Sequence, residues 1–170
     1  MSHSTNPGFA DIWRANEDYA KSFKYSALTG RAARGLAIVT CMDSRINPLS
    51  VVGMKSGDAK ILRNAGGRVT EDVLRTLVLA TFLLGVDRIL VMPHTDCRMA
   101  QEDEEVIHAM IEEKHGVDTR SLEFNTVVDQ RASLSQDLAR IRAFPLLPKR
   151  VVVSGGIYHV ETGVIEPIDN

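Results

Sequence analysis

Short apolar runs punctuate this chain, and segments of helical period separate them. The first such segment opens at Asn6-Pro7, a capping residue followed by the residue suited to a first helical turn. Phe9, Ile12, Trp13, Asn16, Ala20 and Phe23 then recur at helical spacing, with Asp11, Glu17, Asp18 and Lys21 opposite, so an amphipathic helix carrying the only tryptophan is predicted. Leu36-Ala37-Ile38-Val39-Thr40 is a continuous apolar run, the pattern of a parallel strand buried on both faces. Asn47-Pro48 repeats the cap, and Leu49, Val52 and Met54 predict a short helix that Gly57 stops. Residues 59–62 give a second strand, which leads into Arg63-Asn64-Ala65-Gly66-Gly67.

Thr70, with Glu71 and Asp72 behind it, makes a helix start, because a hydroxyl cap and early acids suit the positive end of the helix dipole. Val73, Leu74, Leu77, Val78, Thr81 and Leu84 form its apolar face and Gly85 ends it. Residues 88–92 form a third strand. Strand, helix, strand at this length implies a right-handed crossover and a parallel sheet, hence the α/β class. Residues 99–115 predict a one-sided helix with an acidic start, on whose solvated surface His108 and His115 are placed. Residues 116–124 read as irregular. Asn125 is expected to cap a last long helix with Val127, Val128, Arg131, Leu134, Leu138 and Ile141 on one face, closed by Pro145 and Pro148. Residues 150–154 read as a fourth strand, and 157–160 with 164–168 as a closing hairpin.

Composition narrows the class of protein without choosing a function. A chain of 170 residues, 44% hydrophobic and 25% charged, is expected to fold around one core. We divide it into a helical arm and linker, 1–35, with 1–5 polar and loose, and a single α/β domain, 36–170. A net charge of -2 with interspersed signs offers no footprint for nucleic acid or for a membrane surface. No apolar run approaches the ~20 residues of a membrane span, and no signal-peptide layout opens the chain, so the cytoplasm is the expected compartment. Two cysteines do not make a disulfide framework, and in a reducing compartment they read better as metal ligands.

The chemistry gathers where strands end. Cys41, Asp43 and Arg45 alternate directly after the first run, so an extended backbone projects all three to one side. The third run delivers Pro93-His94-Thr95-Asp96-Cys97. Two thiols and an imidazole with a fourth position left free are what a catalytic zinc requires, and the nearest further donor is Asp43. Taken singly, each cysteine reads more readily as a small buried hydrophobe and His94 as a turn histidine; together they do not. Gly66 and Gly67 permit a tight turn and could offer amide donors to an anion in a substrate pocket.

Cys41-x-Asp43-x-Arg45, followed by Arg63-Asn64-Ala65-Gly66 and His94-x-x-Cys97, resembles the β-class carbonic anhydrases, most closely their short bacterial branch. The resemblance implies a mainly parallel sheet of about four strands with an antiparallel C-terminal edge strand and helices on both faces. It implies zinc held by Cys41, His94 and Cys97, a catalytic pair of Asp43 and Arg45, and a homodimer or higher homo-oligomer in which the N-terminal helix embraces the neighbour. The implied reaction is hydration of carbon dioxide to bicarbonate by zinc-bound hydroxide, with Asp43 orienting the hydroxide and Arg45 keeping Asp43 ionised and off the metal. In part of the family the pair breaks and the aspartate becomes a fourth ligand. Three positions depart from the common pattern: Arg98 replaces a glycine, Lys55 a pocket glutamine and Lys60 an aromatic residue. Hydrolysis of carbon disulfide or carbonyl sulfide at the same ligands is the alternative within the family. A non-catalytic zinc or thiol-redox module is the alternative outside it.

Overall fold

A computed structural model describes residues 6–168, and the loose opening expected for 1–5 lies outside the described residues. Five strands form one sheet: β1 (Leu36–Cys41), β2 (Ala59–Asn64), β3 (Arg88–Met92), β4 (Val152–Tyr158) and β5 (Ile165–Ile168). Their order is β2-β1-β3-β4-β5. The first four pair in parallel, and β5 runs antiparallel to β4 at the edge. All six residues of β1 are buried, as its unbroken apolar run predicts.

Alternate residues of β1 serve two cores. Ala37 and Val39 point into the larger one, built with α3 (Glu71–Leu83) and α5 (Gln130–Ala143) through Val73, Leu74, Leu77, Leu134 and Leu138. Leu36 and Ile38 point to the other face, where Ile46, Met92, Cys41 and Cys97 cluster beneath the single-turn α2 (Pro48–Val51). Thr70 caps α3 by accepting from the Val73 amide. Helix α4 (Glu104–His115) is capped by Asp103 and ends at Gly116, whose left-handed backbone suits glycine. Helix α1 (Ala10–Lys21) follows a 3-10 turn whose Asn6 cap behaves as predicted, and none of its residues is buried.

Several expectations need correction. Helix α2 stops after one turn, because the chain reverses at Gly53 (φ 64°) rather than running on to Gly57. Asp129, not Asn125, caps α5, accepting from the Ala132 amide at 3.0 Å. Asn125 instead takes a left-handed turn (φ 57°), Val127 is buried ahead of the helix, and Val128 is exposed. The predicted fourth strand and the first arm of the hairpin are one strand, β4, running through Gly155 and Gly156. A side chain at Gly155 would meet Leu134 and Leu138 of α5 at 2.9 Å, so this glycine marks close packing inside one strand, not a break between two. His108 is buried, not solvated. Its Nδ1 lies 2.8 Å from the Thr119 hydroxyl and its ring packs on Phe124, because the segment after α4 folds back over the helix.

Candidate metal centre

Parallel pairing of β1 with β3 brings the two motifs together at the carboxyl ends of the strands, where open α/β sheets place their sites. Cys41 is the last residue of β1, and His94 and Cys97 follow β3 within six residues of its end at Met92. The three are buried, and their donor atoms all lie within 4.8 Å of one another. The two sulfurs are 3.9 Å apart.

His94 carries the decisive polarity. Its Nδ1 lies 2.8 Å from the Thr95 carbonyl and therefore bears the proton, which leaves a lone pair on Nε2. That nitrogen is fully buried and has no hydrogen-bond partner among the described residues. A buried acceptor with no donor is costly, and a metal ion is the partner that suits an imidazole nitrogen facing two sulfurs. The donor set therefore fits zinc.

The same sulfurs share a proton when no metal binds. The Cys97 thiol donates to Cys41, and this bond, helped by His94 and by the backbone amides of Asp43 and Gly66, lowers the Cys41 pKa to about 4 against the burial that opposes ionisation. Cys97 is pushed well above the ordinary thiol range, first because it is the donor to Cys41 and then because it is buried. In the metal-free site burial disfavours the charged form of His94, but the neighbouring Cys41, the bond to the Thr95 carbonyl and the charge of Asp43 outweigh burial and raise its pKa.

Asp43 stands at the open side of this cluster with Oδ2 3.8 Å from His94 Nε2. Arg45 grips it twice over, with Nη2 2.7 Å from Oδ2 and Nε 3.0 Å from Oδ1, and the Arg45 amide adds a third bond at 2.9 Å. These hydrogen bonds hold the Asp43 carboxyl well below the usual carboxylate range, and they raise Arg45 in turn. Sequence reasoning gave Arg63, Asp96 and Gln130 no role here. Arg63 spans the first loop, donating to the carbonyls of Cys41 (2.8 Å), Asp43 (2.5 Å) and Ile46 (3.2 Å). Gln130 donates to the His94 carbonyl at 2.5 Å. Arg63 had a readable signal, a cation at the end of the strand paired beside β1; Gln130 had none, since the fold alone brings it near.

Gly66 and Gly67 are buried in a 3-10 turn beside the site. The Gly66 amide faces the Cys41 sulfur, and Gly67 (φ 66°) packs so closely on β1 that a Cβ would stand 2.9 Å from the Thr40 carbonyl carbon. Of the departing residues, Arg98 turns toward Gln101 and the Met110 sulfur, and Lys60 donates to the Gly30 carbonyl in the linker. Neither side chain bonds to a residue of the cluster. A cavity of about 780 Å³ between α3 and the end of α5 is lined by none of these residues either.

Comparison with known proteins agrees with this geometry. The family model described as carbonic anhydrase matches residues 36–165. The chain belongs to the β-class carbonic anhydrases. Beta-carbonic anhydrase 1 of Mycobacterium bovis is 34% identical over 159 residues, which cover 93% of this chain and 96% of the relative. The carbonic anhydrase of Streptococcus mutans superposes with a TM-score of 0.88 at 36% identity, covering 99% of this chain and 100% of that one. A carbon disulfide hydrolase of Acidithiobacillus thiooxidans is 31% identical over 154 residues, covering 79% of this chain and 77% of the relative. The family is one of zinc lyases, in keeping with a Cys-His-Cys cluster close enough to hold that ion. No described helix is long and apolar enough to cross a membrane.

Proposed function

We propose that this β-carbonic anhydrase hydrates carbon dioxide reversibly to bicarbonate and a proton, with Cys41, His94 and Cys97 as zinc ligands and Asp43 and Arg45 as the pair that orients the nucleophile. The observation that carries the reading is the buried, partnerless Nε2 of His94, set between two sulfurs and 3.8 Å from a carboxylate that Arg45 restrains. Zinc bound there supplies a Lewis acid that brings the ionisation of water into the neutral range. Two thiolates offset the charge of a divalent ion, so orientation by neighbouring groups matters more here than beside three neutral imidazoles. Ionised Asp43 only accepts hydrogen bonds, so it draws the proton of the attacking oxygen toward itself and leaves a lone pair aimed at the carbon of the substrate. Its depressed pKa makes it a poor resting place for the proton released in hydration. Gly66 supports the thiolate through its amide, and we assign both glycines to the wall of the substrate pocket.

The carbon disulfide hydrolase relatives favour a second reading, hydrolysis of carbon disulfide by the same residues. One zinc-loaded preparation assayed for proton release from carbon dioxide and for sulfide release from carbon disulfide separates the two. Faster turnover of carbon disulfide would replace the first reading with the second. Zinc without either activity would favour a non-catalytic module.

We also infer that residues 1–35 form an arm on the domain 36–170 and that the protein is a homodimer. Ile12 and Trp13 on α1, with Phe9 just before it and Phe23 just after it, are all exposed, an apolar stripe that the arm's own domain leaves uncovered. Two free cysteines buried together suit the reducing cytoplasm.

A further inference from the structure

We propose that Asp96 is a positioning residue for the reaction, a second carboxylate that sets the guanidinium of Arg45 so that it keeps hold of Asp43. The inference rests on the reading of Asp43 and Arg45 given above. Arg45 needs a support of its own: its side chain is 47% exposed while that of Asp43 is 18% exposed, and a half-exposed guanidinium keeps side-chain motion that weakens an ion pair. A second anchor on the same guanidinium, from a carboxylate that is 61% exposed and from a backbone carbonyl that the loop fixes, restricts that motion. Arg45 Nη1 lies 2.7 Å from Asp96 Oδ2, and Nη2 donates to the Asp96 carbonyl at 3.0 Å.

The direction of the effect follows from which donors are used. Asp43 takes Nε and one hydrogen of Nη2, whereas Asp96 takes Nη1 and the other. The two carboxylates therefore do not compete for the guanidinium. Asp96 holds one edge and presents the other to Asp43.

The backbone is shaped for this. Asp96 has φ 54°, and the only other non-glycine with positive φ among the described residues is Asn125. That conformation turns both the side chain and the carbonyl of one residue onto the same cation. Gln101 Nε2, 3.4 Å from Asp96 Oδ1, lies against the other oxygen. Because Asp96 sits between His94 and Cys97, Arg45 ties together the two loops that carry the metal donors.

The test uses Asp96→Gly, which removes the carboxylate while glycine keeps the left-handed backbone, and Asp96→Asn, which keeps a neutral acceptor. Zinc content and thermal midpoint should match wild type in both. The expected loss in kcat/KM is about tenfold for Asp96→Gly, and smaller for Asp96→Asn, the scale of one charge-assisted hydrogen bond. In an Arg45→Ala background Asp96→Gly should cost nothing further. A readout independent of turnover is bromide bound at the metal, seen as a heavy scatterer by zinc X-ray absorption. If Asp96 keeps Asp43 off the ion, bromide occupancy should fall in Asp96→Gly and return when Asp43→Ala is added.

Wild-type kcat/KM and bromide occupancy in Asp96→Gly, with Arg45→Ala impaired, would overturn the role of Asp96 alone. An equal loss from Asp96→Gly with and without Arg45 would overturn it as well. An unimpaired Arg45→Ala would overturn the underlying pair and this proposal together.

Discussion

Oδ2 of Asp43 lies 3.8 Å from Nε2 of His94, near enough to reach an ion on that nitrogen, and is bonded instead to Arg45. The carboxylate has two possible partners, a guanidinium on one side and a metal on the other. Which one it takes decides whether the fourth position is open to water or filled by protein.

Zinc content tests the ligand set. One ion per chain is expected for wild type by elemental analysis, and Cys97→Ser should lose most of it, because removing a thiolate leaves two good donors. Equal zinc in the two proteins would contradict the assignment. Chelation should be done under reductant, since the metal-free sulfurs stand 3.9 Å apart.

The shared proton is visible in the metal-free, reduced protein. Cys41 is depressed to about 4 and Cys97 is raised, so thiolate ultraviolet absorbance should show one step near pH 4 and no second step in the ordinary thiol range. Cys97→Ser replaces the thiol donor that is the largest cause of the depression with a different one, so the step should move. Two thiolates rising together near ~8.5, the unperturbed thiol value, would show that no proton is shared.

Gly67→Ala probes the close approach of the glycine turn to β1. It forces a left-handed alanine (φ 66°) and sets its Cβ 2.9 Å from the Thr40 carbonyl carbon, which is backbone and cannot swing aside. A loss of about 2 kcal/mol or more is expected from denaturant unfolding. A change within about 0.5 kcal/mol, the scatter of neutral surface substitutions, would mean that the turn shifts freely.

Deleting residues 1–25 tests the arm. Light scattering should show a smaller assembly, or a protein that loses solubility, once the exposed stripe of Phe9, Ile12 and Trp13 is removed. An unchanged mass and thermal midpoint would count against α1 as the dimer element.

What the sequence made legible was whatever repeats or punctuates. The apolar runs located β1, β2 and β3, and the caps at Asn6, Asn47 and Thr70 each accept the expected amide. Cys41, Asp43, Arg45, His94 and Cys97 could be grouped because each follows directly from the end of a strand in one parallel sheet. The errors fall where tertiary contacts overrule local pattern. Asp129 and Asn125 are both good caps, and only the packing of α5 chooses between them. Local pattern breaks the strand at Gly155-Gly156, and only α5 packed on Gly155 shows why small residues stand inside it. The burial of His108 depends on Thr119 and Phe124 folding back from an irregular segment, and Asp96 gains its role from an arginine 51 residues away.

The most direct test of the central claim is a double-mutant cycle on kcat/KM for Asp43→Ala and Arg45→Ala in zinc-loaded protein. Both variants should keep zinc, and each should lose about a hundredfold, the scale of removing one positioned group. If Arg45 acts by restraining Asp43, the double variant should be no worse than Arg45→Ala alone, because the carboxylate that would fill the fourth position is gone too. Losses that simply multiply in the double variant would contradict the coupling and leave the two residues as independent contributors.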